Sequence, residues 1–402
     1  MAVRHTVHRR RVTLEDRAAG PYLELPVEVP PGSRSLAVEL RYDRAAGVVD
    51  LGCLGPEGFR GWSGGARERF VLGPDHATPG YLPGELAPGD WRVLLGLHRV
   101  PAAGLDLQVS AVAADRAAPP DPAPARPPPP ARPPRRDLPA YGGMRWLAGD
   151  LHAHTVHSDG ALTVVELACL AAGRGLDFLA VTDHNTVSHH AELAAAGGYA
   201  GLTLLPGQEV TTDRGHAGAL GPVGWVDFRR PAGDWLAAVQ GRGGLLSVNH
   251  PLAADCAWQH RLPGPPPLAE VWHSSWWDRR WGGPLAWWAA TGPRVVPVGG
   301  SDWHRPGSDA PPGTPTTWVL AADGDVLGAL AAGRVAVTAG RHGPALLRVG
   351  PAELVAVAAD GTFLVAPDGS RRVVRGDRVD LPAGPGGYRL EAPDNAVVAL
   401  CA

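Results

Sequence analysis

Between about residues 20 and 112 the chain runs in short stretches that often alternate apolar and polar positions. They read YLELPVEV, RSLAVELRY, VVDLGCLG, RFVLG, WRVLLGLHRV and LDLQVSAVA, parted by Gly, Pro and Asp turns. A period of two marks half-exposed strands. A succession of such strands without a helical pattern predicts a β-sandwich over residues 1–115. From 141 to 340 the pattern changes. MRWLAGDLHAHT, LDFLAVTDHN, LTLLPGQEVTT, GHAGALGPVGW, GLLSVNHP, LAEVWHSS and RVVPVGGSDWH read as strands. Between them TVVELACLAAGRG, HHAELAAAG, DWLAAVQGRGG, PLAWWAATG and DGDVLGALAAGR carry helical spacing. Alternating β and α elements predict a parallel sheet, open or closed into a barrel. Short strands return over 341–402, from LLRVG to YRLEA, and predict a small C-terminal β appendage.

The stretch 116–140 has neither period. Proline dominates AAPPDPAPARPPPPARPPRRD, which removes donors and holds the backbone extended, so it reads as a semi-rigid spacer. Apolar content of 45% is enough for a buried core. A net charge of −3 supplies no basic excess to hold a nucleic-acid backbone, so polymeric DNA or RNA is not expected. The chain contains no lysine, so a phosphate clamp must use Arg, His, a metal or backbone N–H groups. Cys53, Cys169, Cys256 and Cys401 show neither CxxC spacing nor a disulfide framework. The basic N-terminus lacks an apolar region behind it, and no run approaches the ~20 residues of a membrane span. A cytoplasmic setting is expected.

The candidate chemistry lies where the apolar strands of the middle region end. LAGDLHAH ends in His152 and His154, LAVTDH in Asp183 and His184, LLPGQE in Glu209, LLSVNH in His250, and VVPVGGSDWH in Asp302 and His304. In α/β barrels the C-terminal strand ends converge on one face. Residues i and i+2 of a strand share a face, so His152 with His154, and Asp302 with His304, could each grip one ion. Imidazole and carboxylate without thiolate suit Zn²⁺, Mn²⁺ or Fe²⁺. Taken singly, each motif has a plain structural explanation. Together, at consecutive strand ends, they point to a metal centre. His157 would face away from His154 if the strand continued, His189 and His190 at a helix start are read as supporting or capping residues, and His260 and His273 as spare candidates. The tryptophans of VWHSSWWDRRWGGPLAWW are read as packing against the barrel rather than as a base-stacking platform.

HAHTVHSDG, VTDHN, PGQEVTT followed by GHAGALG, NHP and GGSDWH, in this order, resemble the PHP (polymerase and histidinol phosphatase) superfamily. They are more closely similar to its CehA/McbA-like metallohydrolase branch, over about residues 145–340. The resemblance implies a distorted (β/α)7 barrel and a metal-dependent phosphoesterase, with three divalent metals (Zn, Mn or Fe). It implies one metal on His152, His154, Glu209 and Asp302. Glu209 would bridge to a second, held also by His216 and His250. Asp159, His184 and His304 would hold the third. Asp159 stands where many members of the superfamily place histidine. Asp150 is expected to orient an imidazole N–H, and Asp183, beside His184, to do the same.

The expected reaction is attack on phosphorus by hydroxide generated at the metals, with Arg214 and Arg305 as candidate clamps for a substrate phosphate. The substrate would be a small phosphorylated metabolite or nucleotide. The alternative is a carbamate or amide hydrolase using the same metals, which a Trp-lined pocket without phosphate contacts would favour.

Overall fold

The computed structural model describes residues 3–119, 124–292 and 294–402. Met1, Ala2, residue 293 and residues 120–123 of the proline-rich spacer lie outside the described residues. The chain forms two compact units. The smaller comprises Met1–Ala125 with Val156–Asp159 and Asp183–Ala191, and the larger the remainder.

In the smaller unit two four-stranded antiparallel sheets share one apolar core, the arrangement of a β-sandwich. One sheet runs in the order Val3–Val12, Leu105–Ala114, Ser35–Arg41, Arg69–Leu72. The other runs Tyr22–Val29, Gly89–Arg99, Val48–Gly55, Gly58–Gly64. Alternation sets what goes inside: Leu25, Val27 and Val29 face Leu36, Val38 and Leu40 across the core, and Phe70 stacks on Tyr81 at 4.1 Å. The strand Val3–Val12 is additional to the expected set. Its HTVHRRRV composition hides it, because most of its side chains face solvent at the sheet edge. A Thr13–Asp16 capping box then starts the short helix Leu14–Ala19.

The larger unit is built on a thirteen-stranded mixed sheet flanked by helices. Arg145–Asp150, Phe178–Val181 and Thr203–Thr212 are parallel neighbours, as are Leu245–Val248, Leu268–His273 and Val296–Gly300. Between these sets lies Gly215–Leu220, antiparallel to both of its neighbours. The expectation of a wholly parallel sheet is therefore corrected. Only Asp213 and Arg214 separate this strand from the one before it, which allows a hairpin and no crossover. Close packing explains the small residues: a Cβ at Gly149 would strike the Phe178 ring. C-terminal strands extend the same sheet, because Val397–Cys401 pairs with Val335–Thr338. Ala345–Gly350, Glu353–Val357 and Arg378–Pro382 form a separate three-stranded sheet.

Beyond the strand ends, Ala153 and Trp303 form a parallel bridge. Asp302 N–H donates to His152 O (3.0 Å) and His154 N–H to Trp303 O (2.9 Å). Ala153 and Trp303 are buried, as are His152 and His154. The bridge lies past the last residues of the two regular strands, Asp150 and Gly300.

Residues 126–140 have no regular secondary structure, yet they are fastened to the rest of the larger unit. Arg132 donates to Gly201 O (2.5 Å) and Leu176 O (2.7 Å), Arg341 donates to Pro134 O (2.5 Å), and Tyr199 Oη donates to Pro127 O (2.6 Å). This segment is a strap more than a spacer. Replacing both Arg132 and Arg341 by Ala is expected to speed elastase cleavage within 126–140 several-fold, read by mass spectrometry. Unchanged cleavage would show that these bonds do not hold the strap.

Candidate metal centre

Glu209 lies inside the strand Thr203–Thr212 rather than at its end, and is fully buried. Four imidazoles converge on its carboxylate. His152 Nε2, His250 Nε2 and His216 Nδ1 lie 3.1, 3.1 and 3.2 Å from Oε1, and His154 Nε2 lies 3.6 Å from Oε2. Asn249 donates through Nδ2 to Oε1 (3.0 Å) and accepts the Gly218 N–H at its Oδ1 (3.1 Å), which fixes the carboxylate between adjoining strands. Asp302 adds a second anion: its Oδ1 lies 3.1 Å from His152 Nε2 and 3.0 Å from His154 Nε2.

These contacts fit a divalent cation. Atoms bound at ~2.0–2.1 Å to one tetrahedral ion stand roughly 3.3 Å apart. The donors of His152, His154, Glu209 and Asp302 all lie within 4.8 Å of one another. His152 Nε2 is buried, makes no hydrogen bond, and faces both carboxylates. A buried donor without a hydrogen bond is uncommon and is what a ligand atom requires.

The electrostatics of the protein alone are unbalanced in the direction a cation would correct. Burial opposes a charge on His152, but Glu209, Glu270 and Asp302 outweigh it and hold the ring well above its ordinary value. Burial works the same way at His250, where contacts with Cys256 and Glu209 prevail and raise it. Burial opposes ionisation of Asp302, yet His152 and His154 keep it well below the carboxylate range. Protons and metal ions compete for these atoms. Backbone strain gathers here as well: His250 and Asp302 have φ of +28° and +54°.

Glu270 was not anticipated. It sits in Leu268–His273, a strand buried on both faces, and the lone acid inside the otherwise apolar LAEVWH is the faint trace of it in the sequence. Its Oε1 lies 2.9 Å from His152 Nδ1, and its Oε2 accepts the His250 backbone N–H (2.9 Å). His273, a spare candidate, is brought in too, with Nε2 3.3 Å from Asp302 Oδ2. His152, Glu270 and His273 form a further group able to hold a cation. Asp150 does not orient an imidazole. It accepts backbone N–H bonds from His152 and Ser301 (both 3.1 Å) and Gly313 (2.7 Å), tying three loop segments together. That imidazole work falls to Glu270. His260 is set apart, with Nε2 2.8 Å from Thr212 Oγ1, and burial lowers it to about 4.

His304 lies in the larger unit with its ring stacked on His154 at 4.1 Å. Asp159 and His184 belong to the smaller unit, 3.6 Å apart. Beside them Asp183 accepts from Ser158 Oγ (2.6 Å) and pairs with His189 Nδ1 (3.1 Å), so the carboxylate and His189 support this segment from behind. Arg214, in the hairpin turn, and Arg305 are exposed.

No protein-family model matches the chain. Over 67 residues it is 46% identical to a 3',5'-nucleoside bisphosphate phosphatase of Chromobacterium violaceum, covering 17% of this chain and 24% of that protein. Over 64 residues it is 38% identical to a 5'-3' exoribonuclease of Haemophilus influenzae, covering 16% and 23%. The chain thus spans about a quarter of the length of the curated relatives it matches. Among solved structures it is similar to a two-domain Bacteroides vulgatus protein described as containing a PHP-like metal-dependent phosphoesterase. The identity there is 17%, over 67% of this chain and 91% of that one, with a TM-score of 0.44.

Proposed function

We propose that the chain is a metal-dependent hydrolase of the PHP type, a phosphoesterase acting on a small phosphorylated metabolite or nucleotide. The observation that carries this reading is the convergence of four imidazoles and Asp302 around the buried Glu209 carboxylate, at ligand-to-ligand spacing. The short similarity to a nucleoside bisphosphate phosphatase supports the phosphoester class. In this reading the mixed sheet and its helices form a distorted (β/α)7 barrel, supported by the Ala153–Trp303 bridge.

His152, His154, Glu209 and Asp302 would hold one cation, and Glu209, His216 and His250 a second. Asp159, His184 and His304 keep the assignment their motifs suggest, as ligands of a third. Zn²⁺, Mn²⁺ and Fe²⁺ all suit this donor set. Divalent cations held by these residues would supply Lewis acidity toward an ester oxygen and toward water near neutral pH. The chain's own residues do the rest. Glu270 fixes the His152 ring with Nε2 turned to the centre. Asp183 steadies the His184 segment through Ser158 and His189. Arg214 and Arg305, both exposed and next to proposed ligands in sequence, are the candidate bidentate clamps for phosphate oxygens.

A second reading, carbamate or amide hydrolysis by the same centre, is favoured by one feature. A cavity of about 360 Å³ is lined by His250, Glu270 and His273 together with Trp276, Trp277 and Trp281, and among the described residues no arginine lines it. Trp277 is 85% exposed and Trp281 54%, so these two tryptophans are not the packing residues expected, whereas Trp272 and Trp276 are.

The test is release of nitrophenolate from p-nitrophenyl phosphate by Mn²⁺-loaded protein, with His184→Ala as the comparison. Turnover by the parent, lost in the variant, is the expected result. No release above the variant, followed by turnover of an aryl carbamate, would replace the phosphoesterase reading with the second one.

A further inference from the structure

We infer that Arg67 and Gly80 of the N-terminal β-sandwich are positioning residues for Asp159 and His184, proposed cation ligands that belong to the same compact unit. This rests on the ligand assignment proposed above and gives the sandwich a role that the assignment does not contain.

The segments Val156–Asp159 and Asp183–Ala191 cluster with the sandwich as one compact unit. Two features of the sandwich grip them. Arg67 lies in the turn between the strands Gly58–Gly64 and Arg69–Leu72. Its guanidinium donates through Nη1 to Ser158 O (2.9 Å) and through Nη2 to Val156 O. One planar cation thus fixes two carbonyls that stand two residues apart, immediately before Asp159. Lysine could not reproduce this fork with a single ammonium group.

Gly80 holds the second segment. Its N–H donates to Ser188 Oγ (3.0 Å), and its carbonyl accepts from Thr186 Oγ1 (2.7 Å). These partners lie two and four residues beyond His184. Ser188 Oγ in turn lies 2.7 Å from His157 Nδ1, which joins the two gripped segments to each other. Glycine is required here: φ is +98°, and a Cβ would stand 2.7 Å from Trp62 O and 2.8 Å from His157 O. His157, Ser158, Asp183, Thr186 and His189 are all buried, so the polar groups of these segments depend on protein partners rather than water. The spacing of Asp159 and His184 is therefore set by the sandwich turns as well as by the segments' own sequence.

Three full-length variants decide the matter: Arg67→Met, Arg67→Lys and His184→Ala. Each is loaded with Mn²⁺, desalted, and its bound metal per chain is measured by mass spectrometry, with circular dichroism as the check on folding. His184→Ala defines the loss caused by removing a ligand. Arg67→Met is expected to match it, losing about one equivalent and keeping the others, with kcat falling more than KM rises. Arg67→Lys, which keeps the charge and can reach one carbonyl, is expected to recover part of the lost metal. Folded Arg67→Met with the full parent complement and the same Mn²⁺ titration midpoint would overturn the inference. Should Arg67→Met not fold, Arg67→Lys is judged by the same comparison, and a full complement in it would overturn the inference. The underlying ligand assignment fails separately, if His184→Ala itself retains all of the parent's metal.

Discussion

Replacing Glu209 by Gln is expected to abolish turnover and, on the proposed ligand assignment, to cost the centre two cations, while the fold survives. The substitution keeps the size of the side chain and removes one negative charge. That charge is the element which four imidazoles share: His152, His216 and His250 through one oxygen and His154 through the other. An amide cannot bridge two cations as a carboxylate does. Its NH₂ group would also meet imidazole nitrogens that need a partner without hydrogen. Residues that merely support ligands typically cost 10- to 100-fold in metal affinity or activity when lost, so removal of a shared ligand is expected to cost more than ~100-fold. The measurements are bound Mn²⁺ per chain and kcat on the phosphate ester, with near-ultraviolet circular dichroism as the check on packing. Glu209→Gln that kept two tightly bound cations would remove Glu209 from the bridging role.

The parts of this arrangement differ in how far they were legible from the chain. His152, His154, His250, Asp302 and His304 stand at or just past strand ends, where an apolar run meeting a polar cluster is visible without coordinates. His216 was visible only through the resemblance, because it starts a strand whose direction depends on a two-residue turn. That same turn reverses Gly215–Leu220 and breaks the parallel order. Periodicity carries no information on strand direction, so the alternation rule overreached there. Glu270 escaped for a different reason. LAEVWH reads as an ordinary apolar strand with one acid, and only the fold shows the strand buried throughout, with that acid between His152 and His250. Asp150 was recognised as a supporting residue and given the wrong partner. Sequence proximity suggested an imidazole, whereas the loops after two distant strands bring it backbone N–H groups. The strap over 126–140 is a similar case: proline content describes local stiffness and is silent about the arginines that dock it.

Glu270→Gln is expected to weaken metal binding by 10- to 100-fold with little change in the fold. Burial opposes ionisation of this carboxylate, yet His152, His273 and His250 keep it below its ordinary value, so it is anionic in the folded chain. A buried anion is costly unless it is matched by hydrogen bonds. Glu270 is matched twice, by the His152 ring and by the His250 backbone N–H. Both partners belong to proposed ligands, so one side chain sets the His152 ring orientation and the position of His250. Its anionic oxygen also makes the imidazole a stronger electron donor to a cation, an effect that a neutral amide provides only weakly. Glutamine can still accept from the His152 ring, and the space is tight, because a Cβ at neighbouring Gly300 would strike the Glu270 carboxylate. Packing is therefore retained while basicity falls. The Mn²⁺ titration midpoint should move by one to two decades, with the saturated variant regaining part of the parent's kcat. A midpoint equal to the parent's would mean that Glu270 serves only to satisfy the His250 backbone, and that His152 needs no anionic partner to bind its cation.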